Sequence, residues 1–196
     1  MKNFETPLAI TMGDPSGIGP EIILKSIVET KLNNFLVFGD SLIFDSLIKS
    51  LGLPLTINKI SELSEAIFEE NYINLFETSK LNHLPHYGRI SKECGKVCFD
   101  AIIKSIELAK QGKVSGIVTA PISKKALNLA RINYPGHTEI LAGYSNNKAV
   151  SMMLLNKHIK TVLVTLHCSM KQALERITIQ NELDAIINAD FGCKLF

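Results

Sequence analysis

Short apolar runs alternate with amphipathic stretches along almost all of this chain, and that alternation restricts the fold more than any other feature of the sequence. Leu8-Ala9-Ile10-Thr11 reads as a first strand, and Pro20 to Val28 as the helix behind it. Phe35 to Phe38 reads as a second strand, ended by Gly39. Asp40 is then placed to cap a helix running to about Leu51, with Gly52 just past its end. Leu55 to Ile60 and Ile73 to Phe76 continue the strand series. The clearest helix spans roughly Ser91 to Gln111, because Cys94, Val97, Cys98, Ala101, Ile102, Ser105, Leu108 and Ala109 recur at helical spacing. Gly116 to Thr119 is a further strand, and Pro121 opens a turn into another helix. Val150 to Leu155 and Thr161 to Leu166 read as strands, and Ile177 to Ile187 as a last helix. Strands alternating with helices predict an α/β fold, a mostly parallel sheet with helices on both faces. The apolar run Thr161-Val162-Leu163-Val164 predicts a strand buried on both sides.

Composition narrows the function classes. The chain has 196 residues, enough for one domain or one and a fraction, and its 46% hydrophobic and 20% charged residues are globular values. A net charge of +2, spread over single and paired basic residues such as Lys124-Lys125, announces no nucleic-acid surface. No apolar run is long enough to cross a bilayer, and Met1 to Glu5 lacks the apolar stretch of a signal peptide. Cys94 and Cys98 lie one helical turn apart on an apolar face and read as buried small hydrophobes in a reducing cytosol, and no C-x-x-C pair occurs to suggest a zinc ribbon or redox motif. The expectation is a soluble cytoplasmic protein that binds neither nucleic acid nor membrane.

Three loops carry side chains suited to chemistry. The first is Met12-Gly13-Asp14-Pro15-Ser16-Gly17-Ile18-Gly19-Pro20-Glu21, between a strand and a helix. Gly13, Gly17 and Gly19 let the backbone turn tightly or approach a ligand, and the helix start offers N–H groups to an anion. Asp14 sits among them. Packing alone would also explain these glycines, and the spacing is neither a Rossmann fingerprint nor a P-loop. The second is Val118 to Lys124 followed by Tyr134-Pro135-Gly136-His137-Thr138-Glu139. His137 and Thr138 stand side by side and can hydrogen-bond a substrate hydroxyl or phosphate; Thr138 could equally cap the helix behind it. The third is Thr165-Leu166-His167-Cys168-Ser169, where His167 at a strand end suits a metal ligand or an acid/base, or a purely structural role.

In this order and spacing the loops resemble the 4-hydroxythreonine-4-phosphate dehydrogenase family, over nearly the whole chain to about Gly192. The resemblance implies a two-lobed fold of the isocitrate and isopropylmalate dehydrogenase type, with a lobe crossing placed near residues 77–90. It implies NAD or NADP as oxidant of 4-phosphooxy-threonine, followed by loss of carbon dioxide, for pyridoxal phosphate synthesis. It also implies a divalent metal (zinc, magnesium or cobalt) held by three histidines, and a homodimer with sites built from both subunits. Position by position, His137 and Thr138 match the substrate-binding pair and His167 the first metal histidine. The other two metal histidines and a late cofactor loop find no counterpart here. The expectation is therefore the front portion of such an enzyme, incomplete at its C-terminus and with little or no activity by itself. A non-catalytic remnant, one half of a split enzyme, or a dehydrogenase for another phosphorylated hydroxy acid are the alternatives. Ala120 stands where glycine is usual, and Cys168-Ser169-Met170 where Leu-Pro-Leu is common.

Overall fold

The computed structural model describes residues 6–146, 150–166 and 168–195. They form two compact units, one ending at Ser145 and the other starting at Asn146.

The first unit runs β1 (Leu8–Thr11), α1 (Gly19–Thr30), β2 (Phe35–Gly39), α2 (Ser41–Leu51), β3 (Thr56–Ile60), a 3-10 turn (Leu63–Glu65), β4 (Tyr72–Glu77), α3 (Lys92–Lys110), β5 (Gly116–Thr119), α4 (Lys124–Leu129) and α5 (His137–Ser145). The five strands form one sheet in the order β3-β4-β2-β1-β5, parallel throughout. Strand periodicity sorts its residues to two faces. Ile10, Phe35 and Val37 pack with Ile23, Leu24, Ile27, Ile43 and Phe44 of α1 and α2. Ala9, Leu36 and Phe38 pack on the opposite face with Ala101 and Leu108 of α3. Every residue of β2 is buried, which is why this central strand is apolar without alternation. Each large side chain so buried stabilises the fold by about 1.5–3 kcal/mol.

Local signals place the helix ends. Asp40 accepts from Leu42 N–H at 2.9 Å and starts α2, and Gly52 ends it in the left-handed region at φ 61°. Ser91 accepts from Cys94 N–H at 3.1 Å and starts α3. Residues 78–90 are a loop within this unit, tied to the ends of the strands. Thr78 N–H donates to the Gly39 carbonyl at 2.9 Å, Leu81 N–H to Asp40 Oδ2 at 2.7 Å, and Gly88 N–H to the Ser16 carbonyl at 2.8 Å.

The second unit holds β6 (Met152–Leu155), β7 (Lys160–Leu163), α6 (Met170–Arg176) and α7 (Ile179–Leu195). Here the sequence reading needs correction. β6 and β7 pair antiparallel as a two-stranded hairpin, and Thr161 is exposed while Val162, Leu163 and Val164 are half-buried. The hairpin turns at Asn156, whose side chain accepts from His158 and Ile159 N–H at 2.8 and 2.9 Å. An apolar run is buried on both faces only where helices cover both, and a hairpin lacks that cover. The last helix also reaches well beyond Ile187, and α6 precedes it, capped by Ser169 and Gln172.

Candidate functional site

The chain winds away from β1 in two directions: β2 lies on one side of it and β5 on the other. That reversal is the topological switch point, and in open parallel sheets ligands gather outside the strand ends there. The first and second candidate loops are the two segments that leave β1 and β5 at this point.

They meet in close contact. Gly13 has φ 75°, and a Cβ there would lie 2.4 Å from the Pro121 carbonyl oxygen. A Cβ on Gly19 would lie 2.5 Å from the Met12 carbonyl oxygen and 3.1 Å from Ala120 Cβ. Asp14 N–H donates to the Pro121 carbonyl at 2.9 Å. The Asp14 side chain is buried and turned into its own loop, accepting from Ser16 N–H at 2.9 Å and Ser16 Oγ at 2.8 Å. Gly13, Asp14 and Gly19 therefore join the loop to its neighbours. Gly17 is exposed, with only Asp14 near the place of a Cβ, and Ile18 beside it is 65% exposed. Ile18 gives α1 no side-chain cap, so the first-turn N–H groups lack that partner.

His137 opens α5 and Thr138 is the second residue of that helix, both half-buried. The Nε2 of the His137 ring is buried without a hydrogen-bond partner. Burial pulls the His137 pKa below its ordinary 6.5, and the neighbouring Ala120 backbone opposes that shift. Lys124 Cε and Glu139 Oε2 lie 3.9 and 3.4 Å from where a Cβ on Gly136 would stand, so a cation and a carboxylate flank the turn into His137. The structure thus unites the first loop, Ala120-Pro121 and His137. His167 falls outside the described residues.

Cys94 and Cys98 are buried, as their spacing predicts. Burial, then the charge of Asp14 and the neighbouring Cys94, raises the Cys98 pKa far out of the nucleophilic range. Among the described residues no three His, Cys, Asp or Glu side chains come together to hold a metal ion.

Three features lay beyond sequence reasoning. One is the close approach of the Ala120-Pro121 backbone to Gly13, because a backbone contact has no residue signature. Another is Thr11 Oγ1, buried and unpartnered at the end of β1. The third is a polar cluster at the outer rim of the sheet. There Ser41 Oγ donates to Glu77 Oε1, and Lys59 Nζ donates to Ser41 Oγ at 2.7 Å. The Ser41 hydrogen bond holds the Glu77 pKa below its ordinary value, with Lys59 adding to the effect. Glu77 and Asp100 also line a cavity of about 360 Å³.

A parallel sheet with helices on both faces, and a glycine-rich loop and a His-Thr pair at its switch point, defines an open-sheet α/β protein of the kind in which ligands gather at that point. The chain belongs to the pyridoxal phosphate biosynthetic protein PdxA family, whose profile matches residues 31–194. It is 45% identical over 195 residues to the 4-hydroxythreonine-4-phosphate dehydrogenase of Beijerinckia indica, a match covering 99% of this chain and 58% of that protein. A Fusobacterium nucleatum protein, provisionally named a D-threonate 4-phosphate dehydrogenase, is 34% identical over 93% of this chain and 56% of its own length. The crystal structure of the 4-hydroxythreonine-4-phosphate dehydrogenase of Klebsiella pneumoniae superposes with a TM-score of 0.88 at 32% identity, covering 95% of this chain and 58% of that one. The chain thus spans under three fifths of the length of each of these relatives.

Proposed function

We propose that this chain carries the first-lobe site of an NAD(P)-dependent dehydrogenase acting on 4-phosphooxy-L-threonine. The observation that supports this most is the 45% identity with the Beijerinckia enzyme, which extends over 195 residues and so includes all three loops. In this reading hydride leaves the secondary alcohol carbon for NAD or NADP and the hydroxyl proton is lost. The β-keto acid then gives up carbon dioxide, leaving 3-amino-2-oxopropyl phosphate. His137 and Thr138 bind the substrate. Gly17, Ile18 and the open first turn of α1 are the groups that would take the dinucleotide's phosphates, and the nicotinamide supplies the hydride acceptor. The described residues do not form a metal site, so no step is assigned through a metal. A homodimer in the cytoplasm belongs to the same reading.

The Fusobacterium relative's name favours a second substrate for the same site, D-threonate 4-phosphate, which replaces the amino group by a hydroxyl. The test is calorimetric titration of the purified chain with each compound. Saturable binding of 4-phosphooxy-L-threonine, weakened at least tenfold in His137→Ala, is expected. Tighter binding of D-threonate 4-phosphate would exchange the substrate, and no binding of either by folded protein would refute the proposal.

A further inference from the structure

The side that α7 turns inward is not its apolar one. Ile179, Leu183, Ile186, Ile187 and Phe191 recur three and four residues apart and so share one side of the helix. All five are exposed, from 47% at Leu183 to 90% at Ile179. Ala185, Asn188 and Gly192 lie on the opposite side. That side meets the hairpin: Asn188 Nδ2 donates to Ser151 Oγ at 2.8 Å, and the end of Met153 packs over Gly192. An amphipathic helix with all its partners in place turns its apolar stripe toward them. Here a small and polar side is covered and the large apolar side is open. α6 repeats the pattern, with Met170 and Leu174 exposed one turn apart. The two-stranded sheet also leaves β6 and β7 one unpaired edge each among the described residues.

We infer that the apolar stripe of α7 is a docking face for a polypeptide equivalent to the part of the relatives' chains that this sequence does not match. The inference goes beyond the dehydrogenase reading and does not depend on it. The Beijerinckia enzyme matches 99% of this chain, α6 and α7 included, yet about two fifths of that enzyme lies outside the match. The Klebsiella structure superposes on 95% of this chain, and this chain covers only 58% of it. The helix that exposes its apolar stripe here is thus one that the relatives carry together with a large further stretch of chain. Burial of that stripe is worth up to about 1.5–3 kcal/mol for each large side chain, before the cost of association. The partner presents a complementary apolar surface, and an extended segment of it can pair with the free edge of β6 or β7.

The test is co-expression of the 196-residue chain with a separate, tagged polypeptide comprising the part of the Beijerinckia enzyme outside the match, and in parallel with that of the Klebsiella enzyme. A one-to-one complex is expected in size-exclusion chromatography with light scattering, with amide exchange in α7 slowed relative to the free chain. Ile187→Asp and Leu183→Asp are expected to weaken the complex about tenfold or more, because each would bury a carboxylate without a partner. Both positions are exposed, so the unfolding midpoint of the free chain is expected to stay in place. Lys157→Glu, in the exposed hairpin turn, is expected to leave the complex unchanged. Failure of both polypeptides to bind, binding undiminished in both Asp variants, or pairing of two copies of this chain that excludes the added polypeptide would overturn the inference. None of these outcomes bears on ligand binding at His137, which the calorimetric titration tests separately.

Discussion

Up to Ser145 the large apolar side chains have somewhere to go; from Asn146 onward most do not. In the first unit, Phe35, Phe38, Phe44, Leu24 and Ile102 are all fully buried between a five-stranded sheet and its helices. In the second, Met170, Leu174 and Ile179 are 80%, 72% and 90% exposed, and α7 buries only Ala185 and Gly192. Leu183, Ile186, Ile187 and Phe191 are exposed along the same helix. The sequences of the two units are similarly apolar, so hydrophobicity is not what separates them. The difference lies in cover: a sheet with helices on both faces closes over its apolar residues, whereas a hairpin and two helices leave them open. Exposed apolar surface on this scale marks an interaction face or an aggregation hazard. The first and second candidate loops emerge from the unit that closes its own core.

Paired substitutions test that contrast, beginning with glycines. A Cβ on Gly95 would lie 2.1 Å from the Ala126 carbonyl oxygen, where α3 and α4 touch backbone to backbone. Gly95→Ala is expected to cost about 3 kcal/mol or more in denaturant unfolding, because neither backbone yields easily. In the second unit, a Cβ on Gly192 would meet only the end of the Met153 side chain, at 2.7 Å. Gly192→Ala is expected to cost under about 1 kcal/mol, since methionine swings aside. Equal costs would break the distinction between a closed unit and an open one.

Helix caps give a smaller pair. Asp40 caps α2 and also accepts from Leu81 N–H, so Asp40→Ala should cost about 1–2 kcal/mol. Ser169 caps the short, exposed α6, and Ser169→Ala should cost about 0.5 kcal/mol or less in the same unfolding experiment.

The smallest effect is a pH dependence. Folding lowers the His137 pKa below 6.5, so the unfolded chain binds more protons there. Stability from this source is complete above pH 6.5 and is lost as pH falls through the lower folded value. Glu77, also lowered in the folded state, adds a second loss as pH falls below 4.5. Unfolding midpoints against pH should show the upper step vanish in His137→Gln and the lower one remain.

Much of the first unit was legible because its signals are local. The apolar runs at Phe35 and Ile73, the three- and four-residue spacing through α3, and the cap Asp40 each declare themselves within a few residues. What stayed hidden depended on partners. The run at Thr161 reads like a buried strand, and only the pairing with Met152 to Leu155 shows a hairpin. The cap Ser169-x-x-Gln172 was present in the sequence, but seven residues of α6 are too few to establish a helical period. At the site, spacing revealed glycines that turn the chain, yet not that Gly13 and Gly19 press against Pro121 and Ala120.

The most direct measurement is hydrogen exchange of the whole chain, free and with 4-phosphooxy-L-threonine. The account predicts the slowest exchange in β1, β2, β4 and α3, fast exchange through α6 and α7, and ligand-induced slowing confined to residues 13–19, 120–124 and 136–139. Exchange in α7 as slow as in β2, or ligand protection that bypasses these three loops, would contradict it.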